Sequence, residues 1–178
     1  MITKSGVQGL ELRVMKQEAG ITLVELIIVI AIIGILVIAL GFSFQDWMGK
    51  YRVEGQMKEL YSDLVNTRAN AMSRSRVHFV TVAANQYAIF SDTSPAPDGN
   101  GTLEPAADTR LLLRTLNNYP ITIATAATIR FNTRGTIPAA DIGTIRVTPS
   151  FDADYDCIFI EETRINLGLW TGGACVVK

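Results

Sequence analysis

Imidazole and thiol chemistry are nearly missing from this chain, whose 178 residues include one histidine, His78, and two cysteines, Cys157 and Cys175. That scarcity excludes a multi-histidine metal cage, a paired-histidine proton relay and a zinc site of four thiolates. An excess of charge is missing too. With 16 Lys+Arg against 17 Asp+Glu the net charge is -1, which argues against a generally basic nucleic-acid binder. No proline precedes Pro95, so nothing in the first half of the chain breaks a helix. The length suits one compact domain with an appendage, and 48% hydrophobic with 8% aromatic residues exclude a disordered chain.

What is present is distributed unevenly. Of the 24 residues from Ile21 to Phe44, 19 are apolar, and 20 uncharged residues separate Glu25 from Asp46. As a helix rising ~1.5 Å per residue, such a run reaches about 30 Å, the thickness of a bilayer's hydrocarbon layer. A core helix would show a polar face, and Leu26 to Leu40 shows none. The preceding residues are polar and mixed in charge (Lys4, Glu11, Arg13, Lys16, Glu18), unlike the short basic head of a common secretory signal. Asp46-Trp47-Met48-Gly49-Lys50-Tyr51-Arg52 follows with no small-residue cleavage signal, so the apolar segment is predicted to be retained. Trp47 and Tyr51 suit a membrane–water interface. Glu25 breaks the run, and an ionised carboxylate in lipid costs a few kcal/mol. Either it is hydrated at headgroup level, or a cation from another chain or a freed amino terminus neutralises it in an assembled state.

Gly20-Ile21-Thr22-Leu23-Val24-Glu25-Leu26-Ile27-Ile28-Val29-Ile30-Ala31-Ile32-Ile33-Gly34 resembles the prepilin signature of type IV pilins and type II secretion pseudopilins. The resemblance implies cleavage by a prepilin peptidase between Gly20 and Ile21, N-methylation of Ile21, and Glu25 as the carboxylate that supports assembly. It implies a leader on the cytoplasmic side, a single pass through a bacterial inner membrane, a periplasmic head, and later incorporation into a filament. Ile21 stands where the family usually has Phe, and Phe42 where major pilins usually carry proline, which points to a minor subunit.

Beyond the apolar run, Tyr51, Met57, Leu60, Tyr61, Leu64, Val65, Ala69 and Met72 recur at largely helical spacing, with Glu54, Lys58, Asp63, Asn66 and Asn70 opposite. One helix from Ile21 to about Arg74 is predicted, with Arg74 and Arg76 suiting its negative end. The pattern then turns to β over 77–83, 86–90, 109–116, 128–131, 144–148 and 157–160. Residues 91–108 read as a surface excursion, and Asn132-Thr133-Arg134-Gly135 as a tight turn. The predicted fold is α+β and pilin-like: a leader (1–20), a transmembrane and assembly half-helix (21–44), an amphipathic half-helix (45–76) and an antiparallel β-rich head (77–178). Leu60-x3-Leu64-x3-Arg68-x2-Ala71-x2-Arg74-x2-Val77 resembles the helix end of GspH/FimT pseudopilins, and Ile129-Arg130-Phe131-Asn132-Thr133-Arg134-Gly135 their central turn.

Asp152, Asp154 and Asp156 imitate the opening of a calcium loop, but Cys157 replaces its glycine and Thr163 its bidentate glutamate, so a solvated turn is favoured. Asp98, Asn100 and Glu104 form a second acidic loop, read the same way. Exposure to an oxidising periplasm favours a Cys157–Cys175 disulfide. His78 has no nucleophile motif beside it and reads as structural.

These readings converge on a non-enzymatic minor pilin or pseudopilin without a cofactor. Its partners would be other pilin or pseudopilin subunits, the prepilin peptidase, an inner-membrane assembly platform and lipid. The alternative is a DNA-binding minor pilin of an uptake pilus, needing Arg130, Arg134, Arg146 and Arg164 to cluster. Against it, 13 Lys+Arg face 15 Asp+Glu after residue 20, and residues 163–178 carry two cations.

Overall fold

The computed structural model describes residues 20–124 and 127–178, with the side chains of 39–44 left out. All of the expected leader except Gly20 lies outside the described residues. By compactness the chain divides into Met1–Gly41 and Phe42–Lys178.

Helix α1 covers Leu23–Ser73 without interruption, as the absence of proline allows. Among the described residues no helix is long and apolar enough to cross a membrane. The apolar side chains of 39–44 lie outside the described residues, so the transmembrane reading of 21–44 rests on the sequence. The helix ends on a left-handed residue: Ser75 has φ 50°, its N–H donates to the Met72 carbonyl, and the Arg76 N–H reaches back to Ala71. These two bonds satisfy carbonyls that the last turn would otherwise leave unpaired.

In the unit that starts at Phe42, the buried stripe of α1 is Val53, Gln56, Met57, Leu60, Leu64, Thr67 and Ala71. This corrects the expected stripe. Met57, Leu60 and Leu64 are buried and Tyr61 partly so, but Tyr51, Val65, Ala69 and Met72 are exposed. Two polar residues take inward positions because their hydrogen bonds are met. The Gln56 amide donates to the Tyr119 carbonyl at 2.7 Å and accepts from its N–H at 3.3 Å. Thr67 Oγ1 donates to the Asp63 carbonyl.

Among the described residues nine strands make two sheets, antiparallel at every pairing. The first comprises β1 (His78–Ala83), β2 (Gln86–Ser91), β3 (Thr109–Thr115) and β5 (Thr128–Phe131), in the order β3-β2-β1-β5. The second comprises β4 (Ile121–Ile123), β6 (Gly143–Val147), β7 (Cys157–Ile160), β8 (Ile165–Thr171) and β9 (Ala174–Val177), in the order β4-β6-β7-β8-β9. Val80, Ile89 and Phe131 of the first sheet share one core with Ile145, Ile158 and Ile160 of the second and with the helix stripe. The other face of the first sheet buries Phe79, Ala88 and Phe90 beneath Val77 and Leu103. That double burial explains why β2 lacks a polar face.

The 92–108 excursion is ordered from within. Asp92 is buried and accepts the Asn100 and Gly101 N–H groups, while Asp108 accepts those of Thr93, Ser94 and Glu104. Buried carboxylates are tolerable when backbone donors replace water. The turn at 132–135 is closed by Gly135 donating to the Asn132 carbonyl. Gly135 has φ 74°, a conformation that strains any residue with a side chain, and a Cβ there would also sit 2.7 Å from Met72 Sδ, which would have to move aside.

Candidate processing and assembly site

Gly20, Ile21 and Thr22 precede the first helical residue, Leu23. Gly20 stands in open space, with nothing within 4 Å of where a Cβ would lie. Packing within the chain therefore places no demand for glycine there. Ile21 is 75% exposed, so the bond between these two residues is accessible to a protease.

Thr22 starts the helix. Its Oγ1 accepts the Glu25 N–H at 3.2 Å and its carbonyl accepts the Leu26 N–H at 3.2 Å. Thr22-Leu23-Val24-Glu25 is thus the Thr-x-x-Glu arrangement in which a threonine caps the first turn and a glutamate follows three residues on. The Glu25 carboxylate also lies in the turn where the helix dipole favours negative charge. The spacing of Thr22 and Glu25 carries the signal for this cap, since a Thr-x-x-Glu ahead of an apolar run marks a helix start.

Between Leu23 and Ile38 every side chain is exposed, with Ile30 at 57% and Val37 at 64%. A helix apolar on all sides and covered by nothing among the described residues requires lipid or neighbouring helices.

The other expected sites are placed apart from this one. Asp152, Asp154 and Asp156 do not converge. Asp154 pairs with Lys50 at 3.0 Å and with Lys178 at 3.5 Å, and the Lys50 ammonium holds its carboxyl below the usual range. Asp156 is buried and accepts the Trp170 N–H at 2.6 Å, with burial pushing its carboxyl up. Asp152 is exposed on left-handed backbone, with φ 51°. Among the described residues no group of His, Cys, Asp and Glu could hold a metal ion. In the second acidic loop, Asn100 Nδ2 donates to Glu104, and Asp98 lies 3.8 Å from the Arg76 guanidinium.

Cys157 and Cys175 are joined by a disulfide with Cα atoms 6.0 Å apart, tying β7 to β9 across β8. Gly168 of β8 makes room, since a Cβ there would lie 2.5 Å from the Val176 carbonyl and 2.9 Å from Cys175 Sγ. His78 is fully buried. Its Nδ1 lies 3.0 Å from the Arg76 carbonyl, which can only accept, so Nδ1 carries the proton. Burial lowers its pKa.

The four arginines of the nucleic-acid reading are divided between structures. Arg130 of β5 donates to the Gly101 carbonyl beside Asp141. Arg146 of β6, in the second sheet, lies over the ring of Trp170 of β8 in the same sheet. Arg134 and Arg164 lie exposed in two neighbouring turns, which the Ile137 N–H donating to the Glu162 carbonyl holds together, away from Arg146.

A family model described as the prokaryotic N-terminal methylation motif matches residues 15–41, and one described as type II transport protein GspH matches residues 56–163. Neither a curated protein nor a solved structure gives a significant match.

Proposed function

Since the chain belongs to the GspH family of type II transport proteins, we propose that it is a minor pilin or pseudopilin, a structural subunit of a type II secretion pseudopilus or a type IV pilus. Its maturation proceeds by prepilin-peptidase cleavage between Gly20 and Ile21 and N-methylation of Ile21. Before assembly the protein is held in the inner membrane by residues 21–44, with the head in the periplasm.

The observation that carries this reading is the placing of an exposed Gly20–Ile21 bond just ahead of a capped helix whose next sixteen residues, Leu23 to Ile38, all lie open. Cleavage there creates an α-amino group, cationic below a pKa of about 8. A staggered neighbour brings that cation to Glu25 within a low-dielectric bundle. An unpaired buried carboxylate would penalise any other register.

Intact-mass measurement on protein from cells with and without an active prepilin peptidase tests the maturation. The expected product lacks residues 1–20 and carries a methyl group on Ile21; an uncut chain in processing-competent cells overturns the reading. Glu25→Ala is expected to insert in the membrane but to drop out of the filament, and normal co-assembly of this variant refutes the register role.

A further inference from the structure

The two sheets leave four edge strands, and they are not equivalent. β4 has three residues, β5 and β9 four each, and β3 has seven. Among the described residues β3 pairs only with β2, so its other side offers unpaired backbone groups. Leu111 and Leu113 project from it 44% and 48% exposed, while Leu112 packs on the core. The β2–β3 register shifts at Leu111, which is left without a partner between Arg110 and Leu112, and even so a long, exposed edge with apolar side chains is a template for strand addition.

The charge around this edge selects the partner. At its far end β3 runs into a cleft of about 390 Å³ whose lining includes Arg52, Gln56, Glu59, Arg114, Leu116 and Asn118. Arg114 is engaged, 2.7 Å from Glu59 and 3.5 Å from Asp63. Arg52 and Arg110 are exposed and make no ion pair among the described residues. The edge is therefore flanked by two uncompensated cations on a chain whose net charge is -1.

A second copy is a poor occupant in the register that would set Leu111 of one chain opposite Leu113 of the other. Antiparallel pairing of β3 with itself about Leu112 would set each Arg110 opposite an Arg114, and like charges directly opposed are destabilising. We propose that the β3 edge takes an extended segment of a different protein, in which apolar residues alternate with acidic ones. Its backbone would continue the β3-β2-β1-β5 sheet, its apolar side chains would cover Leu111 and Leu113, and its carboxylates would meet Arg110 and Arg52. The inference rests on β3 and on Arg52 of α1, both in the unit that starts at Phe42, and is independent of how the apolar stretch of the helix assembles.

The full chain in detergent micelles is titrated with a short synthetic peptide of alternating valine and glutamate, and with the same peptide carrying lysine in place of glutamate. Binding of the glutamate peptide is expected to be about tenfold or more tighter, with slowed amide exchange confined to residues 109–115. In the exposed-site double variant Arg52→Glu/Arg110→Glu the preference reverses. No binding, equal binding of both peptides, or protection elsewhere in the head overturns the proposal. So does a dimer seen by sedimentation that this variant abolishes, since it would make the occupant a second copy.

Discussion

Two stretches of one helix obey opposite rules. From Val53 to Ala71, α1 buries a stripe against two sheets and turns Glu59, Ser62 and Asn66 outward. From Leu23 to Ile38 it has no stripe, because every position is exposed and nearly every one is apolar. The first stretch is stabilised inside its own chain, and the second must be covered by something else. Backbone geometry is shared, so the difference lies in where each stretch finds partners for its side chains.

Core truncation gives the strongest way to break that contrast. Leu64→Ala removes a fully buried side chain from the common core and is expected to lower head stability by about 2–5 kcal/mol in urea unfolding. Ile30→Ala, in the uncovered stretch, should leave the same transition unchanged within about 0.5 kcal/mol. Comparable losses from both would mean that the apolar stretch is already packed within the monomer.

The disulfide tests whether the far edge of the second sheet needs its own restraint. Cys157 and Cys175 are 18 residues apart in sequence, and a loop of that size contributes about 3 kcal/mol in the chain-entropy model. Replacing both by serine is expected to lower the head's melting temperature and to speed amide exchange in β9 before the helix stripe responds. Unmodified cysteines recovered after denaturing alkylation without reductant would establish that the bridge is formed in the cell.

Much of this was legible in advance, for definable reasons. β5 and β7 were readable to the residue because each is a short β-branched and apolar run bounded by turn residues. β4, β8 and β9 were not. β8 contains Asn166 and Gly168, and only the covering strand and disulfide explain that glycine. The Gly172–Gly173 pair, with φ of 60° and 87°, closes the β8–β9 hairpin and was a turn signal available in the sequence. The helix stripe was misread where tertiary hydrogen bonds override hydropathy, as Gln56 goes inward to Tyr119 while Val65 and Met72 remain outside. The acidic excursion concealed its logic similarly, since a sequence does not reveal which carboxylates will collect backbone N–H groups. At the candidate site, Gly20, Ile21 and Glu25 were recognisable by spacing, and Thr22 needed the capping geometry.

Acid should separate the head from the apolar stretch more gently. His78 is neutral and buried, with a pKa lowered from 6.5 chiefly by loss of solvent. The unfolded chain therefore takes up a proton near pH 6.5 that the folded head refuses. Stability from this group is complete above that pH and is lost as the pH falls through 6.5 toward the lower folded value. Asp156 acts in the opposite sense at more acidic pH, because its raised pKa lets the folded state bind a proton first. The head's melting temperature should fall between pH 7.5 and about 5.5, and His78→Gln should flatten that slope. An unchanged slope in the variant would assign the acid sensitivity to other groups.

The smallest expected effect bears on the least ordinary part of the molecule. Thr22→Ala removes the oxygen that accepts the Glu25 N–H and should cost the helix start about 1 kcal/mol, read as faster amide exchange over residues 23–26 with the head's unfolding unaffected. Thr22→Ser keeps the oxygen and should restore the slow exchange. Glu25→Gln distinguishes the two roles of the carboxylate: it retains a side chain able to accept at the cap but loses the charge that a neighbour's amine would meet. If Glu25 serves mainly its own helix, Glu25→Gln assembles normally and Thr22→Ala is the defective variant. If it serves the neighbour, the order reverses, because 1 kcal/mol of fraying at an exposed end is small beside an uncompensated cation in an apolar bundle.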